Sequence, residues 1–226
     1  MIDKPKSRQD WLSRRKRGIG ASDSGAVLGL NKYRNNVDVY NEKTGKIQPE
    51  DISGKPNIVF GKKAERLIRE LFKLNHSEYR VTYHEYWMYH NDEYPFIYAT
   101  LDGELTEKRP EDYPKGKRFN PKRGILEIKT TTITGGAAQW SEWEDKIPDS
   151  YYTQCLHQLL ATGWDFVILV ALIRYYRGSE LRQQIREYRI DRADHEDELA
   201  MILDEEKAFW ASVESGNKPA MKLPEI

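Results

Sequence analysis

Gly124-Ile125-Leu126-Glu127-Ile128-Lys129-Thr130 reads as a β-strand, because aliphatic residues that favour extended backbone alternate with polar ones. Side chains at i and i+2 of a strand point the same way, so Glu127 and Lys129 share one face. Upstream, Phe96-Ile97-Tyr98-Ala99-Thr100-Leu101 forms a second extended stretch that Asp102 closes, and Gly103 permits a sharp turn beside it. If the two strands pair, two carboxylates and one ammonium meet. Hard oxygen ligands of this kind suit Mg²⁺ or Mn²⁺, which points to metal-assisted phosphodiester hydrolysis. A hairpin turn with a cross-face ion pair accounts for the same residues, since Asp-Gly turns and Glu-x-Lys strands are common.

Downstream, Phe166-Val167-Ile168-Leu169-Val170-Ala171-Leu172-Ile173 is almost wholly apolar, as a central strand covered on both faces should be. Ile185 to Ile190 alternates with charges and reads as a more exposed strand. Between them and the Glu127 strand, Asp149 or Ser150 is expected to cap a helix that buries Tyr151, Tyr152, Cys155, Leu156, Leu159 and Leu160 and stops at Gly163. Gln154 and Gln158 lie four apart on another face of that helix and are therefore neighbours. A last helix, capped at Asp191 or Asp194, carries Leu199, Ile202, Leu203, Phe209, Trp210 and Val213 at helical period and ends near Gly216.

Upstream, Phe60, Ala64, Leu67, Ile68 and Leu71 recur at helical spacing, which predicts a helix with one buried face and Glu65 at its edge. Glu65 then either points toward a buried site or pairs with Arg66, Arg69 or Lys62. Asn35 or Asn36 caps a short helix that Thr44-Gly45 ends. Val81 to Tyr89, a turn at His90 to Glu93, and the strand ending at Asp102 read as a hairpin. Near the start, Arg14-Arg15-Lys16-Arg17 precedes Ser22-Asp23-Ser24, which looks like an N-capped short helix. The basic segment 8–29 is either an anion site, with Ser22 and helix-start N–H groups beside Arg14 and Arg15, or a solvated face. Glu104 to Arg123 forms a basic insert between the two candidate strands, carrying seven cations and three prolines. It either leans on a nucleic-acid backbone or is a flexible solvated loop.

Helices thus precede, interrupt and follow a small mixed central β-sheet, an α/β or α+β layered architecture expected to form one domain over residues 1–226. Lys+Arg and Asp+Glu both number 36, so attraction to nucleic acid has to come from local clustering of charge. The one cysteine, Cys155, excludes an internal disulfide and a four-cysteine metal site within the chain. The histidines form no ligand pair at metal-binding spacing. No Gly-rich nucleotide loop, Gly-x-Ser-x-Gly elbow or zinc motif is present. With no apolar run of membrane length and no signal-peptide core, the chain is expected to be soluble and cytoplasmic. Six Trp and 14 Tyr suit a large core or base-stacking platforms, and residues such as Trp87, Trp140 and Trp143 hint at a subunit interface.

Several stretches, taken in order, agree with one known family. They are Trp11, Arg15, Ile19-Gly20-Ala21-Ser22-Asp23, Leu28-Gly29, Thr44-Gly45, Phe60-Gly61-Lys62-Lys63-Ala64-Glu65, Ala99-Thr100-Leu101-Asp102-Gly103, Leu126-Glu127-Ile128-Lys129, and Tyr152-Thr153-Gln154-Cys155-Leu156-His157-Gln158-Leu159 with Thr162-Gly163. The series resembles the phage lambda exonuclease and YqaJ-type viral recombinase family, within the PD-(D/E)XK nuclease superfamily. The resemblance implies a restriction-endonuclease-like core in which Asp102, Glu127 and the Ile128 carbonyl bind Mg²⁺, with Mn²⁺ able to substitute. It implies that Lys129 orients or deprotonates the attacking water, that Glu65 holds metal directly or through water, and that Gln154 is the motif glutamine near the active site. Arg15, Ser22 and Thr100 match a pocket for the 5′-phosphate, with Thr in place of a more familiar Ser. Leu101 stands where the superfamily name has proline, and the basic insert 104–123 departs from the pattern.

The activity so implied is 5′-to-3′ exonucleolytic hydrolysis of double-stranded DNA from its ends, in phage or prophage recombination. The resemblance further implies a ring-shaped homo-oligomer, most simply a trimer, and a single-strand annealing protein as partner. A structure-specific or restriction-like endonuclease on the same core is the alternative. A catalytically silent DNA-binding module is a third reading, disfavoured by the full set Asp102, Glu127 and Lys129.

Overall fold

Two mixed sheets share the strands of this chain, and the candidate aspartate stands where the backbone passes from one to the other. A computed structural model describes residues 1–134 and 136–224, without the side chain of residue 138. The strands are β1 (Ile2–Asp3), β2 (Ile19–Gly20), β3 (Tyr79–Thr82), β4 (Met88–His90), β5 (Ile97–Ala99), β6 (Gly103–Glu107), β7 (Arg123–Ile133), β8 (Phe166–Arg177) and β9 (Glu180–Asp191). The helices are α1 (Arg8–Arg14), α2 (Ala21–Val27), α3 (Asn36–Lys43), α4 (Pro56–Asn75), α5 (Ala137–Ser141), α6 (Asp149–Thr162) and α7 (Glu196–Ser215). The larger sheet has the order β3-β6-β7-β8-β9 and the smaller one β1-β4-β5-β2.

The long apolar run does become a central strand: β8 pairs in parallel with β7 and antiparallel with β9. Its residues are buried from Phe166 through Ile173, because helices cover both faces. Period-2 alternation on β7 divides the two layers. Leu126 and Ile128 pack with Ala64, Ile68 and Phe72 of α4, whereas Ile125 packs with Cys155, Leu156 and Leu159 of α6. Glu127 and Lys129 follow Ile125 in phase, so they face α6. Gly124 is required by packing, since a Cβ there would stand 2.2 Å from the Phe166 ring. Gly163, with φ +67, closes α6 in the left-handed conformation that side chains disfavour.

Several sequence expectations need correction. The hairpin is β4 with β5, where Tyr89 faces Ala99. Val81 belongs to β3 in the other sheet, because a turn at Glu85-Tyr86, with Tyr86 at φ 65, breaks the stretch. The partner of β7 is not the Ile97 strand but β6, with Gly103 opposite Leu126. The insert consequently begins later than its composition suggested: residues up to Glu107 are strand, and the loop proper is 108–122. On α4, Leu67 and Leu71 are exposed and Arg69 is buried in their stead, since its Nε donates to the Asp102 carbonyl at 2.6 Å. The N-caps are Gly20 for α2, Pro148 for α6 and His195 for α7, displacing Ser22, Asp149 or Ser150, and Asp191 or Asp194 from those roles. Asn35 does cap α3, accepting from the N–H groups of Val37 and Asp38. Trp143 is buried, and Trp87 and Trp140 are partly buried against the same core, which takes up much of this aromatic surface.

Candidate active site

The α6-facing side of β7 gathers the polar residues that the apolar core would otherwise exclude. Lys129 Nζ lies 2.7 Å from Glu127 Oε1, and it donates to Gln154 Oε1 at 2.9 Å. The amide of Gln154 donates in turn to Glu127 Oε1 at 2.7 Å. Gln158, one helical turn on, donates to Glu127 Oε2 at 2.6 Å. Both oxygens of the buried carboxylate are therefore held by side chains, as a buried charge demands. The Tyr151 ring lies 4.9 Å from the Lys129 ammonium and shields it. Burial lowers the proton affinity of Lys129, but Glu127 and then Asp102 outweigh this and keep it a cation above its ordinary range.

Asp102 meets this cluster from the seam between the sheets. Its Oδ2 accepts from the Ile128 N–H at 2.8 Å, and its own carbonyl is fixed by Arg69. Burial first, then Glu127 and Glu65, push the Asp102 carboxyl well above the usual carboxylate range. Glu65, on α4, is raised by burial and then by Glu127. The helix glutamate is thus near enough to the site for Glu127 to act on it, as Arg69, Lys129 and Lys62 also do. Among the described residues no three His, Cys, Asp or Glu side chains form a ready ion cage, because Glu127 is turned onto Lys129 and two amides. The donor set nonetheless fits a hard divalent cation: Asp102 and Glu65, both raised beside the Glu127 carboxyl, would be relieved by a positive charge among the three.

Next to this cluster lies a cavity of about 170 Å³, lined by Trp11, Arg15, Gly20, Ala21, Ser22, Tyr98, Thr100 and Gln154. Arg15 and Ser22 are brought together here with Thr100, which is far from them in sequence. Arg15 donates from Nη2 to Ser22 Oγ at 3.2 Å and its guanidinium stacks on Trp11 at 4.7 Å. The Arg15 carbonyl accepts from Lys43 Nζ at 2.8 Å and from the Tyr98 hydroxyl at 3.2 Å. Behind Ser22 the fully buried Asp23 pairs with Arg34 at 2.6 Å and Lys43 at 2.7 Å. Burial alone would raise the Asp23 carboxyl, yet Lys43, Arg34 and Arg15 reverse this and hold it far below the usual range. Of the four cations of the basic run only Arg15 lines that cavity.

Sequence reasoning missed the parts played by Gln158, Arg69, Tyr151, Trp11 and Tyr98. The i, i+4 spacing of the two glutamines was visible, but not that both would reach one carboxylate. The others depend on packing between elements, which no local pattern encodes.

Residues 10–165 match the YqaJ-like viral recombinase domain. The chain belongs to that family. It is 29% identical over 218 residues to the uncharacterized protein YqaJ of Bacillus subtilis (strain 168). That match takes in 95% of this chain and 59% of the Bacillus protein, so the chain spans less than two thirds of that relative's length. Among solved structures, the alkaline exonuclease LHK-Exo from Laribacter hongkongensis superposes with a TM-score of 0.65 at 18% identity, covering 92% of this chain and 94% of the other. LHK-Exo in complex with dAMP superposes with a TM-score of 0.64 at 19% identity, with the same coverage. This YqaJ-like chain and the exonuclease share a fold, as the family resemblance leads one to expect. No helix of the described residues is long and apolar enough to cross a membrane.

Proposed function

We propose that this YqaJ-like chain is a divalent-metal-dependent nuclease that removes nucleotides 5′ to 3′ from the ends of double-stranded DNA. One observation carries the proposal: Gln154 lines the Arg15 cavity and also bonds both Glu127 and Lys129. A pocket suited to a phosphate and a cluster suited to hydrolysis are thereby neighbours through a single side chain. In this reading Arg15, Ser22 and Thr100 seat the terminal 5′-phosphate, with the planar guanidinium able to give two parallel hydrogen bonds. Asp102, Glu127 and the Ile128 carbonyl hold Mg²⁺, or Mn²⁺ in its place, and Glu65 completes the set directly or through water. When bound, the cation supplies Lewis-acid polarisation of the scissile phosphate and a more acidic water. Lys129 stays charged and donates beside the attacking oxygen, stabilising the negative charge that develops there. Gln154 keeps Lys129 and Glu127 in register. The complex of LHK-Exo with dAMP, a nucleoside 5′-monophosphate, supports the same class of product.

The family setting extends the proposal to DNA recombination of phage or prophage type in the cytoplasm. It also extends it to a single nuclease domain, a homotrimeric ring and a single-strand annealing partner, which rest on family resemblance. A labelled linear duplex and a covalently closed circle, each incubated with Mg²⁺ and with chelator, test the activity. Stepwise loss of the linear duplex from 5′ ends, with the circle intact and chelator abolishing the reaction, is the expected result. Cleavage of the circle would establish the endonuclease reading instead, and no cleavage of either would leave the DNA-binding module.

A further inference from the structure

A second cavity, of about 400 Å³, lies along α4 and is lined by Lys62, Glu65, Arg66, Arg69, Glu70, Lys73 and Tyr83. An α-helix turns roughly 100° per residue, so positions 62, 66, 69 and 73 fall on one narrow stripe. All four are cations. Among the described residues Lys62 and Arg66 enter no ion pair, and Lys73 makes only an exposed one with Glu70 at 2.9 Å, which a stronger anion can displace. Arg69 is the fixed point of the stripe: buried, stacked 3.8 Å over the Tyr83 ring, and bonded to the Asp102 carbonyl. Glu65, beside the stripe at the edge of the buried face, belongs to the candidate active site.

The stripe has a direction. Its first turn lies by Glu65, while the far end of α4 leads into Ser77, whose carbonyl accepts from Lys108 Nζ at 2.7 Å. The Lys108 N–H donates to the Glu78 carbonyl at 2.8 Å, which anchors the root of the loop 108–122. That loop carries Arg109, Lys115, Lys117, Arg118 and Lys122. The cations of α4 therefore lie on one side of the site, with the root of the basic loop at the far end of the helix, whereas the Arg15 cavity adjoins the site from the α6 side. Lys62 to Lys73 spans about 16 Å of helix, which matches about five base-pair steps at roughly 3.4 Å each.

We infer that the α4 stripe is a track for the sugar–phosphate backbone of duplex DNA that has not yet been cut, leading the strand into the site from the loop 108–122. This rests on the nuclease reading above. It assigns the α4 cavity a ligand of its own, distinct from the terminal phosphate. The contacts are to phosphates, so they position without reading sequence.

The test compares binding of a 20-base-pair duplex, in Ca²⁺ rather than Mg²⁺, by the wild type, the triple variant Lys62→Ala/Arg66→Ala/Lys73→Ala, and Lys63→Ala. Lys63 is also an exposed cation, on a different side of the helix. Each lost phosphate contact should make the dependence of log K on log salt shallower by about 0.9, so the triple variant should lose two to three units of slope. Lys63→Ala should keep the wild-type slope, and the rate preference for 5′-phosphorylated over 5′-hydroxyl ends should be the same in all three proteins. An unchanged slope in the triple variant, or an equal loss in Lys63→Ala, overturns the track. A wild type that binds no duplex overturns the nuclease reading together with it, whereas normal wild-type binding and digestion with an unchanged triple-variant slope overturns the track alone.

Discussion

Gln158 donates its amide N–H to Glu127 Oε2 at 2.6 Å from a fully buried position on α6. It touches neither cavity described above, so its effect on chemistry runs through the carboxylate. Partners of this kind fix the orientation of a ligand and cost roughly 10–100-fold in activity or metal affinity when removed. Gln158→Met, similar in volume, should raise the Mg²⁺ concentration needed for half-maximal digestion while leaving duplex binding unchanged. A metal titration of linear-duplex digestion measures this, and an unaltered midpoint would show that Gln154 alone suffices.

Lys129→Ala should lower the rate by about a hundredfold or more, the scale of losing one electrostatic contributor to a transition state. Binding in Ca²⁺ should persist, because the contact proposed for Lys129 is to reacting oxygens and not to the DNA backbone at large. Single-turnover digestion separates the two, and undiminished cleavage would remove Lys129 from the chemistry.

Arg15→Ala should shrink the preference for 5′-phosphorylated ends more than it weakens overall affinity, since Arg15 alone of the basic run lines the Ser22 cavity. Paired substrates differing only in the terminal phosphate give the ratio. Full retention of the preference would assign the clamp to another residue.

Asp23 sets a pH dependence. Its carboxyl is held below the ordinary value by Lys43, Arg34 and Arg15, so in the folded chain it stays ionised when the unfolded chain, with a pKa of about 3.9, already binds a proton. A depressed carboxyl contributes stability above the unfolded pKa, and this is lost as pH falls toward the folded one. Asp23→Asn removes the carboxylate partner of the buried Lys43 and one of the two carboxylates on Arg34, which also pairs with Glu42, and should cost about 3–5 kcal/mol at pH 7. Urea unfolding at pH 7 and again near pH 3 should show the gap between variant and wild type narrowing in acid. A gap constant with pH would mean that the charge of Asp23 contributes nothing.

Gly124→Ala places a methyl group where the Phe166 ring lies, 2.2 Å from the added carbon. Overpacking of this kind costs about 1–3 kcal/mol. The midpoint of urea unfolding should fall accordingly, and Gly124→Ala with Phe166→Leu should recover part of the loss.

Much of this architecture is legible along the chain because periodicity is a local property. The apolar run at Phe166 had one physical outcome, a strand covered on both faces, and the alternation on β7 placed Glu127 and Lys129 together before any contact was known. Leu67 and Leu71 misled because an amphipathic pattern counts carbon and ignores that a buried Arg69 can satisfy its guanidinium on Asp102 and Tyr83. The pairing of β6 with β7, in place of the Ile97 strand, was hidden for a related reason. Asp102-Gly103 reads as an end of strand, and the same two residues serve equally as the start of another. The roles of Asp102 and Glu127 came from the ordered motifs of the family and not from spacing alone.

The seam itself has a further consequence. Thr100 belongs to the Arg15 cavity and Asp102 to the carboxylate cluster, and between them lies only Leu101, buried in the main core. Two residues of backbone span about 7 Å at most; Ala99, next to Thr100, ends β5 in one sheet, and Gly103, next to Asp102, begins β6 in the other. In the nuclease proposed above, the interval from the seated terminal phosphate to the cleaved bond would thereby be a backbone length, a ruler cut into the chain. No side-chain substitution resets it, whereas one residue inserted at Leu101 would change the size of the fragment released.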